Sequence, residues 1–355
     1  MQDIRPVNMG IFMAATNTAA ILKAKFNINT ELWFTGESHN NSFIATEAVA
    51  LKSKGIAHLK ALVTERNLNP AEDIIVTHGP WNYQSVWGNY LAKQGFKWVY
   101  VSHGVLEPCG MNHKWLKKKI YYALVENRLL SNANIIRAIS TPEKLNLQKL
   151  FPKKEIVLIA NGFDAPVDAV STTAKSKMIF LFMARLHEKK GVTPLVQAWI
   201  NSSLNNDPHY ELAIAGTDEG ELAKIEPLLQ QSSNAKYIGV IYKDAKQEWL
   251  AKSSFFVLPS QCEGFPVSLL ETAAAGLIPI ITESCNFPEI LQQQLAIKTG
   301  NNAEEITASL EHCKSLQMPD IAQLAANVSS YIKANYNLDL IAQKQYELYC
   351  TLLNK

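Results

Sequence analysis

The sequence predicts an α/β protein built as two doubly wound domains, and three observations carry that expectation. Its 355 residues exceed a typical single domain of ~100 to 200 residues. From Met178 onward, short β-type runs alternate with helical stretches, the pattern of parallel strands covered by helices on both faces. Between the halves lies a small, polar run, Ala165 to Lys177, with the composition of a linker. The expected division is 1–165, then 175–335, then a closing helix over 336–355 that packs back on the first domain.

In chain order, helical spacing covers Ile11 to Lys25, followed by a strand over Glu31 to Phe34 and helices over Ser42 to Lys54 and Ala57 to Arg66. Strands at Asp73 to Thr77 and Lys97 to Ser102 flank a helix near Asn82 to Gln94. Each strand runs into a His-Gly pair, His78-Gly79 and His103-Gly104, at the carboxyl end, where open α/β sheets bind ligands. A lone histidine is more often a surface or core residue than a catalyst. Two at equivalent strand ends, each before a glycine that permits close approach, point toward function, His103 before His78.

The next helix, Asn112 to Arg128, sets Trp115, Ile120 and Tyr122 beside Lys114, Lys117, Lys118 and Lys119. That pattern fits a helix on an anionic membrane surface, and equally a core-packed helix with a solvated lysine face. A strand over Ile135 to Ile139, a helix over Pro142 to Leu150 and a strand over Ile156 to Ala160 lead to Asn161-Gly-Phe-Asp164.

The second half opens with a strand, Met178 to Met183, whose loop Met183-Ala-Arg-Leu-His-Glu-Lys-Lys-Gly191 carries Arg185 and Lys190 beyond the strand end. An Arg and a Lys there can clamp a diphosphate, although charged surface loops are common. A helix over Val192 to Leu204, strand Glu211 to Ala215, helix Glu221 to Gln231, strand Lys236 to Ile238 and helix Lys246 to Ala251 follow. Gly216 sits in a ligand-facing loop, and Gly239 to Tyr242 can offer backbone groups to a base.

Strand Phe255 to Leu258, helix Pro266 to Ala275 and strand Leu277 to Ile281 form the next unit. Pro266 suits a first helical turn and Gly276 a left-handed position after the last. The loop Ser260 to Pro266 therefore opens onto a helix N-terminus, a natural anion site. Glu263 lies in that loop and Glu271 in the second helical turn, so both can reach one ligand bearing phosphate and hydroxyl groups, as a nucleotide sugar does. A glutamate on a helix is more often simply solvated. Three helices, Ala303 to Cys313, Ile321 to Ala334 and Leu338 to Leu353, end the pattern.

A net charge of +2 gives no argument for nucleic acid. No apolar run approaches the ~20 residues that cross a bilayer, and the N-terminus shows no signal-peptide pattern, so the expected location is cytoplasmic. The five cysteines, Cys109, Cys262, Cys285, Cys313 and Cys350, have no C-x-x-C spacing and fit reduced thiols. The absence of H-E-x-x-H, G-x-S-x-G and Asp-x-Asp, and of G-x-G-x-x-G after any strand, argues against zinc hydrolase, serine hydrolase and dehydrogenase chemistry. Neither metal nor cofactor is expected.

Taken together, four segments resemble the retaining glycosyltransferases of family 4, the group 1 glycosyltransferases, whose two Rossmann-like domains face each other across a cleft in the GT-B fold. Met183 to Gly191 is similar to the family's diphosphate loop, Ala213-Ile-Ala-Gly216 to its next strand end, and Asn161-Gly-Phe-Asp164 to its hinge signature. Glu263-Gly-Phe-Pro-Val-Ser-Leu-Leu-Glu271 matches its Glu-x7-Glu motif. His78-Gly-Pro-Trp81 and Ser102-His-Gly-Val-Leu-Glu107 resemble a bacterial subgroup that builds surface polysaccharides such as O-antigen, capsule and exopolysaccharide.

The resemblance implies a hexosyltransferase that moves a sugar, with retention, from a nucleotide-diphosphate sugar to a hydroxyl of a glycan or polyprenyl-linked oligosaccharide. It implies that Arg185 and Lys190 hold the donor diphosphate and Glu271 the ribose hydroxyls. Glu263 would meet the transferred sugar beside the N–H groups of Gly264 and Phe265, with Gly216, Pro266 and Val267 in the same donor site. His103 would touch the sugar near its reacting carbon, and His78 is the acceptor-side candidate. Peripheral contact with the inner face of the cytoplasmic membrane would run through Lys114 to Arg128. Two departures stand out: Met1 to Asn8 is polar and leads into the first helix without the family's usual first strand, and Ala184 replaces a glycine. The rival readings are a nucleotide-sugar epimerase of the same architecture and an inactive binding subunit of a polysaccharide assembly complex.

Overall fold

A computed structural model of the chain describes residues 9–35, 47–51, 53–81, 83–112, 115–163 and 177–354. The expectation of a missing first strand falls on residues 1–8 and lies outside the described residues, as do Lys114, Asp164 and nearly all of the expected linker. The chain divides into two compact units, Met1–Phe163 with Leu338–Lys355, and Asp164–Asn337.

The first unit runs α1 (Met9–Thr16), α2 (Ala19–Phe26), β1 (Glu31–Thr35), β2 (Glu47–Leu51), α3 (Ile56–Glu65), β3 (Ile74–His78), α4 (Tyr83–Ala92), β4 (Lys97–Val101), α5 (Pro108–Asn112), α6 (Trp115–Tyr121), α7 (Asn127–Leu130), β5 (Ile135–Ala138), α8 (Thr141–Leu150) and β6 (Glu155–Leu158). Strands β3 to β6 form one parallel sheet in that order, and β1 pairs with β2, also in parallel. Trp98 and Tyr100 of β4 are fully buried against Leu130, Ile136 and Leu147.

Three helical expectations are corrected here. The stretch Ile11 to Lys25 is two helices, because the chain turns at Asn17 and Thr18, where Oγ1 of Thr18 donates to Oε1 of Gln345 at 2.8 Å instead of capping α2. The described end of Ser42 to Lys54 is a strand, β2: a short Glu-Ala-Val-Ala-Leu run has no periodicity that separates helix from strand, and pairing with β1 decides it. The expected helix over Asn112 to Arg128 is α5, α6, a π-helical turn over Tyr122–Glu126 and α7. The π turn brings Glu126 inward, where Oγ of Ser85 donates to its Oε1 at 2.5 Å.

The second unit runs β7 (Met178–Met183), α9 (Val192–Asn201), β8 (Tyr210–Ala215), α10 (Leu222–Leu229), β9 (Ala235–Tyr237), α11 (Lys243–Lys252), β10 (Phe255–Leu258), α12 (Val267–Ala274), β11 (Ile278–Ile281), α13 (Pro288–Gln292), β12 (Ile297–Lys298), α14 (Ala303–Ser315) and α15 (Met318–Tyr336). Its six strands are all parallel in the order β12-β11-β10-β7-β8-β9. Phe180, Leu181, Phe182 and the whole of β10 are buried, as central strands covered on both faces must be. The elements α13 and β12 are too short for any periodicity to announce them.

The last helix, α16 (Leu338–Leu353), belongs to the first unit. Tyr346 stacks on Phe26 of α2 with ring centroids 4.3 Å apart, beside the Thr18–Gln345 hydrogen bond.

Candidate functional site

In the second unit the strand order reverses between β7 and β10, the switch point where parallel sheets of this kind leave a ligand-binding crevice. Two loops leave the sheet there, 184–191 after β7 and 259–266 after β10, and they are stapled together. Oγ of Ser260 and the N–H of Gln261 both donate to the carbonyl of Lys189, at 2.9 and 2.8 Å. Gly191 has φ +74°, and a Cβ there would stand 2.4 Å from the carbonyl oxygen of Pro259, so only glycine allows this approach. Gly216, at φ +150°, lies closer still: an added Cβ would meet the carbonyl oxygen of Ala184 at 1.7 Å.

The stapling brings the charged residues together in pairs. Nζ of Lys190 donates to Oε1 of Glu263 at 2.5 Å, with side chains only 15% and 8% exposed. Nη1 of Arg185 reaches both oxygens of Glu219, at 2.8 and 2.7 Å. Nζ of Lys246 donates to Oε1 of Glu271 at 2.9 Å. Every charged candidate read from the sequence in this unit thus carries a counter-ion. Glu219 and Lys246 were not singled out in the sequence, because no spacing links them to their partners.

Pro266 is the cap of α12 and not its first helical residue, which corrects the expected boundary by one position; it offers no side-chain cap, and Val267 opens the helix. The loop ahead of it is held from behind. Phe265 is buried against Phe287 and Tyr336, with centroids 4.9 and 5.7 Å away. Nδ2 of Asn286 donates to the carbonyl of Glu263 at 2.7 Å, and the N–H of Glu263 donates to the carbonyl of Ser284 at 3.0 Å. Gly264 lies between these anchors. Gly276 takes the left-handed conformation expected after the helix, with φ +86°.

In the first unit, Nδ1 of His78 and Nε2 of His103 are 2.8 Å apart, joining the ends of β3 and β4. His103 holds a left-handed backbone, φ +55°, between Ser102 and Gly104. Oγ of Ser102 and the N–H of Gly104 both donate to Oε1 of the buried Glu143, whose Oε2 accepts from the N–H of Ile139 at 2.7 Å. Burial, reinforced by Arg137, pushes the His103 pKa down to about 3. Burial, then His103 and Arg137, holds His78 well below the ordinary histidine range. Both rings are therefore neutral at physiological pH. His78, expected on the acceptor side, has His103 as its partner.

Among the described residues, no group of three or more His, Cys, Asp or Glu is placed to hold a metal ion. Cys285, Cys313 and Cys350 are free thiols; Cys109 and Cys262 are not free, which corrects the expectation of five reduced thiols.

Two units built on parallel sheets, the second with its crevice at the β7/β10 switch point, define the GT-B class of fold. Two solved structures share it: sucrose-phosphate synthase from Thermosynechococcus elongatus has a TM-score of 0.75 at 18% identity, over 99% of this chain and 96% of that one. HepE of Anabaena, solved with UDP and glucose, has a TM-score of 0.74 at 14% identity, over 99% of this chain and 98% of that one. Residues 166–333 match the family model of the glycosyl transferases group 1. A GDP-mannose:cellobiosyl-diphosphopolyprenol alpha-mannosyltransferase of Xanthomonas oryzae is 24% identical over 57% of this chain and 54% of its own length. The chain thus spans about half the length of that relative. An N,N'-diacetylbacillosaminyl-diphospho-undecaprenol alpha-1,3-N-acetylgalactosaminyltransferase of Campylobacter jejuni is 28% identical over 74% of this chain and 68% of its own.

Proposed function

We propose that the protein is a glycosyltransferase that moves a sugar, with retention, from a nucleotide-diphosphate sugar to a hydroxyl of a polyprenyl-linked saccharide in the synthesis of a bacterial surface polysaccharide. The observation that carries this reading is the stapled pair of loops at the β7/β10 switch point, which sets Lys190, Glu263 and the uncapped start of α12 in one place. The names of the Xanthomonas and Campylobacter relatives, each with a diphosphate-linked polyprenol acceptor, support the acceptor class.

In this reading the bond from the anomeric carbon to the diphosphate oxygen breaks, and its electron pair goes to the diphosphate. The acceptor hydroxyl oxygen forms the new bond on the same face, and its proton passes to the departing diphosphate. Arg185, Lys190 and the N–H groups at the start of α12 stabilise the charge that develops. Charged hydrogen bonds contribute roughly 1.5 to 3 kcal/mol each and a helix terminus about 0.3 to 2, so the two cations dominate. Glu263 meets the transferred sugar once Lys190 turns to phosphate, and Glu271 holds the ribose.

Membrane contact belongs to the same proposal. Leu116, Ile120 and Leu124 follow one another at four-residue spacing with 56%, 52% and 70% of their surface exposed, and Lys117 and Lys119 are exposed beside them. Such a stripe suits the headgroup boundary of an anionic bilayer, where a polyprenyl-linked acceptor resides. No helix among the described residues is long and apolar enough to cross a membrane. The test is incubation with UDP- and GDP-sugars and polyprenyl-diphosphate oligosaccharides, reading nucleotide diphosphate release and the glycosylated lipid. Release without an acceptor product, or isomerised sugar, favours the epimerase reading; no release from any folded, nucleotide-binding preparation favours the binding subunit.

A further inference from the structure

Glu271 does not stand alone on α12. Lys246, from α11, holds its Oε1 at 2.9 Å, and both side chains are about a quarter exposed, at 26% and 27%. Among the described residues, Oε2 of Glu271 accepts no hydrogen bond. The pair joins two helices with β10 between them in the chain, so no helical repeat forces the contact.

A carboxylate that accepts hydrogen bonds from neighbouring sugar hydroxyls binds them best when its rotamer is fixed before the ligand arrives. A lysine on one oxygen does this, because it ties down a side chain that otherwise explores several rotamers. An ion pair serving stability alone would leave the second oxygen indifferent to ligand. At this exposure such a pair adds little to stability, so its effect on ligand is the more informative measurement.

We propose that Lys246 is a positioning residue for the nucleotide ribose: it occupies Oε1 of Glu271 and leaves Oε2 to accept from the ribose hydroxyls, so the site prefers ribonucleotides to their 2′-deoxy counterparts. The inference rests on the proposed placement of the donor ribose at Glu271.

Calorimetric titration of the full chain with UDP, GDP and their 2′-deoxy forms tests it, using the wild type, Lys246→Met, Lys246→Arg and Glu271→Gln. The wild type is expected to bind one ribonucleotide roughly threefold to tenfold more tightly than its deoxy form. Lys246→Met brings that ratio close to one by weakening the ribo form alone, and Lys246→Arg restores most of it. A ratio unchanged in Lys246→Met but abolished in Glu271→Gln overturns the role of Lys246 and leaves the donor site standing. A ratio unchanged in Glu271→Gln, or no binding of either ribonucleotide by the folded wild type, overturns the ribose placement itself. A lower melting temperature in Lys246→Met with an intact ratio marks a structural pair and sinks the proposal.

Discussion

Nδ1 of His78 and Nε2 of His103 share a hydrogen bond of 2.8 Å, so one ring donates, the other accepts, and the accepting nitrogen cannot take a proton without breaking the contact. The pair fixes both tautomers. His78 thereby holds the ring of His103, which has a left-handed backbone, in one orientation.

The pair sets a pH dependence of stability. Both folded pKa values lie below the unfolded value of about 6.5, that of His103 at about 3, so the unfolded chain binds more protons between these limits. The contribution of the pair is complete above pH ~6.5 and is lost as pH falls toward ~3. Denaturant titrations at steps between these values are expected to show this slope, and the His78→Asn, His103→Asn double variant to flatten it.

Glu107 works in the opposite sense. Burial first, then Glu143, pushes its carboxyl up to about 7, so the folded form keeps a proton that the unfolded form loses above pH ~4.5. Its neutral form is stabilising at low pH, and that benefit is lost as pH rises to about 7 and beyond. Glu107→Gln retains an acceptor for Nδ2 of Asn146, which reaches Glu107 Oε1 at 3.2 Å. The variant is expected to be more stable than wild type at pH 8 by on the order of 1 to 3 kcal/mol, and equal to it at pH 4. Equal stability at both pH values would show that Glu107 is ionised in the fold at little cost.

Replacing Lys190 has two effects that separate cleanly. Lys190→Met strands the buried Glu263 and is expected to cost about 3 kcal/mol of unfolding free energy. In the proposed donor site it also removes a phosphate contact, and nucleotide diphosphate binding is expected to weaken by roughly tenfold or more. Adding Glu263→Gln relieves the first effect without restoring the second. Calorimetry and thermal melts on the wild type and these two variants check both, and a double variant that regains nucleotide affinity contradicts the assignment.

Membrane contact is tested by sedimentation with vesicles of phosphatidylglycerol and phosphatidylcholine. Changing Leu116, Ile120 and Leu124 to Ser removes the exposed apolar stripe and is expected to reduce vesicle binding about tenfold or more, with the fold unchanged because none of the three is buried. Raising salt weakens the remainder, through screening at Lys117 and Lys119. Binding that is insensitive to both removes this face from the proposal.

The α/β class and most strands of the second unit were legible because buried parallel strands read as unbroken apolar runs: Phe255 to Leu258 admits little else. Arg185, Lys190, Glu263 and Glu271 were legible as candidates because each sits next to a strand end or helix start that Gly or Pro marks. Their partners were not. Glu219, Lys246, Ser284 and Asn286 meet the site from loops and from helix α11, which the sheet order brings together, and sequence separation hides such contacts. The same holds for Ser42 to Lys54, where a neighbouring strand decided what local pattern left open, and for the π turn, whose inward Glu126 depends on Ser85 of α4.

The return of α16 to the first unit has a consequence for how the protein is made. A ribosome delivers every residue of the second unit before it delivers Gln345 and Tyr346, the partners of Thr18 and Phe26. The second unit, a single continuous stretch, can fold as soon as it emerges, whereas α2 keeps an uncovered face until α16 follows it out. The unit that begins first is the last to close, so α2 is where a stalled or truncated nascent chain would expose itself to chaperones and proteases.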